Sequence, residues 1–223
     1  MNPHTQIRFM EGPAGLIELA IDLPPGAGMG AGLGLIAHPH PLHGGNNNNK
    51  VVQTIARALR DLGLQTWRPN FRGVGQSQGA YDVGNGETSD LLALLTMAAK
   101  ILPGLGTPQR PLVLAGFSFG SFVAAKVAQS LREQGQPPAR LLLVGPAASR
   151  FPMPEVASDT LVIHGEADEV VPLADVMDWA RPFGLPVLVF PNTSHFFHGQ
   201  LGLLKQRIQY GLGPLAPRAA PSA

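Results

Sequence analysis

The stretch Leu112-Val-Leu-Ala-Gly-Phe-Ser-Phe-Gly-Ser-Phe-Val-Ala-Ala-Lys126 constrains this chain more than any other. An apolar run stops at Gly116-Phe-Ser-Phe-Gly120 and then resumes with the spacing of a buried helix. That order is strand, sharp turn, helix, with Ser118 at the apex of a G-x-S-x-G elbow. A side chain held on a strained turn leaves almost no room beside its backbone, so the flanking positions must lack a Cβ. Five residues of this form also arise by chance, and a serine is a good helix N-cap. Here the motif stands between a strand and a helix, and an acidic residue and a histidine follow it at later strand ends.

The rest of the chain alternates in the same way. Strands over about 6–10 and 15–22 predict an antiparallel start. The glycine-rich loop 24–34 precedes a strand instead of opening a helix, so it reads as a flexible connector and not a phosphate cradle. Strands are then expected at 33–38, 64–69, 111–116, 140–145, 159–164 and 186–190. Helices are expected at 49–62, 86–102, 118–134, 172–181 and 198–210, the first with Val51, Val52, Ile55, Ala56 and Leu59 at helical spacing and Asn48 or Asn49 as its cap. Such alternation predicts an α/β fold, a mostly parallel sheet with helices on both faces.

A chain of 223 residues suits one domain of this kind. Its bounds are expected at residues 1–212, with a disordered tail at 213–223 that packs nothing. The formal net charge of +1 supplies no field for nucleic acid or an acidic membrane surface. Cysteine is absent, which removes disulfides, thiolate metal sites and a cysteine nucleophile. The N-terminus lacks a basic region followed by roughly 7–15 apolar residues, and no run approaches the about 18 of a membrane span. A soluble cytoplasmic protein is the expectation.

A serine hydroxyl is a poor nucleophile until a base removes its proton and a third group orients the base. Strand 159–164 runs into His164-Gly-Glu-Ala-Asp-Glu-Val-Val-Pro172, with Asp168 heading the loop, and strand 186–190 runs into Pro191-Asn-Thr-Ser-His195. The C-terminal ends of parallel strands share one edge, so Ser118, Asp168 and His195 are expected to converge there. Glu166 and Glu169 rival Asp168 as the acid, though a short aspartate fits the turn better. His198 rivals His195 but falls where the last helix should have begun. Ser121 and His164 read as packing and structural residues.

An oxyanion hole takes one N–H from the residue after the nucleophile, here Phe119. The second should come from His38-Pro-His-Pro-Leu-His-Gly-Gly45. Proline has no N–H, which leaves His40 or Leu42; His40, held between two prolines, is favoured. His38, His40 and His43 suggest a metal, but no carboxylate lies near them and prolines separate them, so no metal is expected. In Asn70-Phe-Arg-Gly-Val-Gly75 the glycines read as turn chemistry, with Arg72 pinning neighbouring backbone carbonyls.

His38-Pro-His-Pro-Leu42 with Asn49-Lys-Val-Val52, Asn70-Phe-Arg-Gly-Val-Gly75, Gly116-Phe-Ser-Phe-Gly120 and His195-Phe-Phe-His-Gly199 together resemble the α/β-hydrolase superfamily over nearly the whole chain. More narrowly they resemble small, lidless bacterial predicted hydrolases related to dienelactone hydrolases and carboxylesterases. The resemblance implies an eight-stranded sheet and a serine hydrolase without cofactors. Ser118, Asp168 and His195 would be nucleophile, acid and base, and Phe119 and His40 the oxyanion donors. The chain departs from the subgroup at His43 and the four asparagines Asn46–Asn49, where an aromatic and a mixed stretch are expected.

The expected activity is cleavage of small carboxylic esters through an acyl-enzyme. Thioester hydrolysis is the nearest alternative, and a non-catalytic small-molecule-binding module is the alternative from another class. In this fold a lid follows the sixth strand, but segment 146–158 is short and broken by prolines, as in Phe151-Pro-Met-Pro154. An open cleft lined by Phe71, Tyr81, Phe119, Met153 and Phe196 is therefore expected.

Overall fold

Period-two alternation in the central strands decides the architecture. Strands β3 (Leu33–Ala37), β5 (Leu112–Phe117) and β6 (Arg140–Val144) lie side by side in parallel. Leu33, Leu35, Leu112, Leu114, Leu141 and Leu143 enter one apolar cluster, and Ile36, Val113, Ala115, Phe117, Leu142 and Val144 enter the other. A sheet apolar on both faces must be covered on both. Helices α2 (Asn85–Ile101) and α3 (Phe119–Glu133) cover the first face with Leu91, Leu94, Phe122 and Val123. Helices α1 (Lys50–Asp61) and α5 (Leu201–Leu212) cover the second with Val52, Ile55, Leu204 and Ile208. Each such side chain, fully buried, contributes about 2 kcal/mol.

The computed structural model describes residues 4–26, 32–213 and 215. Its remaining strands are β1 (Gln6–Gly12), β2 (Gly15–Asp22), β4 (Gln65–Pro69), β7 (Leu161–Gly165) and β8 (Val187–Phe190), and α4 (Leu173–Ala180) joins the last two. The strand order is β1-β2-β4-β3-β5-β6-β7-β8. β1 and β2 pair antiparallel, from Gln6 opposite Ile21 to Gly12 opposite Gly15, β2 pairs antiparallel with β4, and the others are parallel. Between β3 and β5 the chain reverses its direction of travel across the sheet. Such a switch point opens a crevice at the carboxyl ends of the two strands, where ligands of open α/β sheets bind.

The expected elements are all present, with bounds shifted where local turns intervene. β7 starts at Leu161, not at 159, because the Thr160 N–H donates to Ala157 O at 3.0 Å and closes a turn first. α5 starts at Leu201, not at 198, because Gly199 takes φ 74° and the Gln200 N–H donates back to Phe197 O. Pro41–His43 form one turn of 3-10 helix that hydrophobic periodicity does not reveal. Segment 146–158 after β6 carries no helix and adds no lid. Residues 27–31 of the expected connector, and 214 and 216–223 of the expected tail, lie outside the described residues. Leu215 does pack, half-buried against the α1–α5 face, so the tail is not wholly without contacts. Among the described residues no helix is long and apolar enough to cross a membrane.

Candidate active site

β5 delivers Ser118 to the crevice on a turn that only tight packing sustains. Ser118 sits at φ 55°, ψ −121°, where a side chain is rarely found. Its N–H donates to Val144 O at 3.0 Å, tying the turn to β6. The Ser121 hydroxyl, 2.9 Å from Gly116 O and 3.1 Å from Val144 O, ties it again. Ser121 therefore holds the elbow as well as packing. A Cβ at Gly116 would strike the Gly120 carbonyl, and one at Gly120 would strike the carbonyl of Ala37. Helix α3 thus leaves the strand in contact with β3, and both glycines are required by that approach.

The loops after β7 and β8 bring Asp168 and His195 to the same place. His195 Nε2 lies 3.0 Å from Ser118 Oγ, and Nδ1 lies 2.6 Å from Asp168 Oδ2. A carboxylate only accepts, so Nδ1 carries the proton and Nε2 presents its lone pair to the serine. Asp168 Oδ1 accepts the Val170 and Val171 N–H groups at 2.9 and 2.8 Å. Burial pushes the Asp168 pKa up, but His195, the Val171 N–H and His164 outweigh it and hold the carboxyl below its ordinary range. His164 Nε2 stands 3.4 Å from Asp168 Oδ2 and donates to Val171 O at 2.9 Å. Burial lowers the His164 pKa despite that carboxylate.

The rival acids have other partners, and those partners lock the two loops together. Glu166 Oε2 accepts the Asn192 N–H at 2.9 Å, and Glu169 Oε2 accepts the His195 N–H at 3.3 Å. The Glu166 N–H donates to Phe190 O and the Ala167 N–H to Thr193 O. Ser118 Oγ is met by His195 and not by His198, whose ring lies tilted 5.9 Å from that of Phe196.

Across the crevice, the loop after β3 lies against the N-terminus of α3. The Leu42 N–H donates to His40 Nδ1 at 3.2 Å, and Leu42 itself is 69% exposed. Of the two candidate donors, the Leu42 N–H is therefore already engaged. The His40 ring lies 5.1 Å from that of Phe119 and 4.6 Å from that of His43. His38 points elsewhere. It is buried beneath Phe71, donates from Nδ1 to Pro39 O at 2.6 Å and accepts the Phe71 N–H at Nε2 at 2.9 Å. The three histidines therefore do not converge, and among the described residues no group of three or more His, Asp or Glu side chains is placed to hold a metal.

Asn46, Asn47 and Asn49 each have a separate task. Asn46 accepts the Asn48 N–H and donates to Gly44 O. The Asn47 backbone N–H donates to Asn70 Oδ1 at 2.9 Å, and its carbonyl accepts from Arg68, which is paired with Asp22 at 2.7 Å in the interior. Asn49 caps α1 through the Val51 and Val52 N–H groups. Arg72 reaches the Gly86 carbonyl, as its position suggests, and also grips Asp90 with two hydrogen bonds of 2.8 and 2.7 Å.

A cleft of about 720 Å³ opens over Ser118 and His195. Phe119 and Phe196 line it as expected; Phe71, Tyr81 and Met153 do not. Phe71 is turned into the core because its N–H is held by His38, Met153 packs half-buried against the α2–α3 cluster, and Tyr81 stands behind His40, ring centres 4.9 Å apart. Their places are taken by Phe151, Val170 and Val171, with His43, Asn49 and Arg150 toward the rim. Phe151 was open to sequence reasoning, since it neighbours Met153 in the same segment.

The thioesterase-domain family matches residues 65–177, which take in Ser118 and Asp168 and stop short of His195. An uncharacterised protein of Rickettsia prowazekii is 34% identical over 203 residues, 85% of this chain and 81% of that protein. An α/β serine hydrolase without a lid from Xanthomonas campestris superposes with a TM-score of 0.84 at 35% identity over 99% of both chains. An α/β serine hydrolase homologue from Coxiella burnetii does so with a TM-score of 0.80 at 42% identity, over 93% of this chain and 97% of the other.

Proposed function

The chain belongs to the thioesterase-domain family and has the lidless fold of the α/β serine hydrolases it resembles, and from that premise we propose that it cleaves small carboxylic esters through an acyl-enzyme formed on Ser118. The observation that carries the proposal is the unbroken chain from Ser118 Oγ through His195 to Asp168, with links of 3.0 and 2.6 Å. His195 takes the serine proton at Nε2 as Oγ attacks the carbonyl carbon. Asp168 stabilises the imidazolium that results, with its remaining oxygen satisfied by two backbone donors. The Phe119 and His40 N–H groups receive the oxyanion, a contribution of about 3 kcal/mol per donor to the barrier. His195 returns its proton to the leaving oxygen, and water then repeats the sequence in reverse roles.

The family match favours a second reading, hydrolysis of acyl thioesters, since the same groups serve a thiolate leaving group. A fluorophosphonate probe tests the nucleophile common to both. Native protein is expected to be labelled, and Ser118→Ala, folded by circular dichroism, is expected to lose the label and the ester turnover. Full labelling of that variant would overturn the assignment.

A further inference from the structure

Resting on the hydrolase reading, the charge pattern of the cleft narrows the substrate class. Arg150 lines it beside His40, His43 and His195, and no aspartate or glutamate does; burial and the neighbouring His43 lower the His40 pKa, so the lasting positive charge on the lining is that of Arg150. The carboxylates that approach the site are turned away from it, Asp168 toward the His195 ring and Glu169 toward the His195 N–H. Two helix N-termini add the same sign, α3 starting at Phe119 and α1 behind its cap Asn49, both lining residues. The protein as a whole carries a formal charge of only +1, so the imbalance belongs to the cleft.

Arg150 stands out within it. It is the one arginine among the lining residues, whereas Arg60, Arg68, Arg72, Arg140 and Arg181 each meet an aspartate elsewhere. Arg150 is exposed on the cleft wall and is in no ion pair among the described residues. Its backbone is fixed, since the Arg150 and Phe151 N–H groups both donate to Ala147 O at 3.0 Å. The neighbouring Phe151 ring packs 5.1 Å from Phe119 and stacks 5.0 Å from Phe122. A guanidinium offers a planar fork of donors suited to a carboxylate or phosphate, and a cleft of one sign steers such a group inward. A neutral ester uses none of this. We propose that the substrate is an ester or thioester carrying a carboxylate or phosphate, with Arg150 as the anchor for that anion.

Two matched pairs test it and separate the sources of the anion. The 4-nitrophenyl ester of valeric acid against the 4-nitrophenyl monoester of glutaric acid places a carboxylate on the acyl side. The N-acetylcysteamine thioester of valeric acid against the coenzyme A thioester places phosphates on the leaving-group side. Native enzyme is expected to favour the anionic member of at least one pair in kcat/KM, with a preference that shrinks as salt is raised. Arg150→Gln should cut the anionic-to-neutral ratio about tenfold, the worth of one partly solvated charge-assisted hydrogen bond. Arg150→Lys should restore part of it, and Arg207→Gln, the same charge change on exposed α5, should leave it in place. The proposal is overturned if native enzyme prefers the neutral member of both pairs, or if Arg150→Gln and Arg207→Gln change the ratio alike. Turnover of any of the four esters that Ser118→Ala abolishes keeps the hydrolase reading standing in either event; no turnover of any of them brings down both.

Discussion

Acidification should destabilise this protein through His38, a histidine that takes no part in the proposed chemistry. Its ring is sealed beneath Phe71, with Nδ1–H donating to Pro39 O and Nε2 accepting the Phe71 N–H. A second proton would have to go on Nε2, where it would face another donor, and the charge would have no water. Burial accordingly lowers the pKa to about 4 from the ordinary 6.5, against a smaller opposing effect of Pro39 O. Because the folded state refuses a proton that the unfolded chain accepts, stability is full above the unfolded pKa and falls as pH drops toward the folded one. At 1.36 kcal/mol per pKa unit the loss between neutral pH and pH 4 is about 3 kcal/mol, a large share of the roughly 5–15 kcal/mol that holds a domain folded. His164, also lowered by burial, adds in the same direction. Asp168, held below its ordinary range, loses its contribution only at still lower pH. Urea melts at neutral pH and near pH 4.5 measure the fall. In His38→Gln the carboxamide can accept the Phe71 N–H and donate to Pro39 O without titrating, so most of the slope should vanish. A variant whose stability falls with pH as steeply as the native protein's would refute the reasoning.

Two further outcomes follow from the site. Asp168→Asn should lower kcat about 10⁴-fold with KM little changed, because an amide can present a donor to Nδ1 and favour the wrong tautomer; equal damage from Glu166→Gln instead would name the wrong acid. Across neutral aryl esters, kcat/KM should climb about fourfold per added methylene, as roughly 0.8 kcal/mol each is buried against Phe119, Phe151 and Phe196, then flatten once the open cleft is filled. Best turnover of long chains, or a jump in rate at the micelle threshold, would contradict that.

The fold was legible because nearly every strand and helix announces itself by period. The elbow was legible because backbone crowding at Gly116 and Gly120 dictates the residue type. Asp168 and His195 could be placed at one sheet edge from topology alone. The cleft wall could not: whether an aromatic such as Phe71 faces the substrate or the core turns on one hydrogen bond to His38, 33 positions away in the chain. The asparagine run was opaque for the same reason. Its repetition suggests low complexity, whereas Asn47 serves Asn70 and Arg68, and Asn49 serves its own helix. The Arg68–Asp22 and Arg72–Asp90 pairs join residues 46 and 18 positions apart, and composition carries no trace of such pairings.

The stitches between the loops after β7 and β8 have a mechanical consequence. With Glu166 bonded to Asn192 and Phe190, Ala167 to Thr193, and Glu169 to His195, the proposed acid and base ride on one bonded plate. The serine rides on another, anchored by Val144 to the sheet centre. Moving either loop would therefore carry Asp168 and His195 together, and the contact that joins them to the hydroxyl is the 3.0 Å one between His195 and Ser118. A designer who grafts either loop alone into a related scaffold would import half of a hinge plate, and the two must travel together.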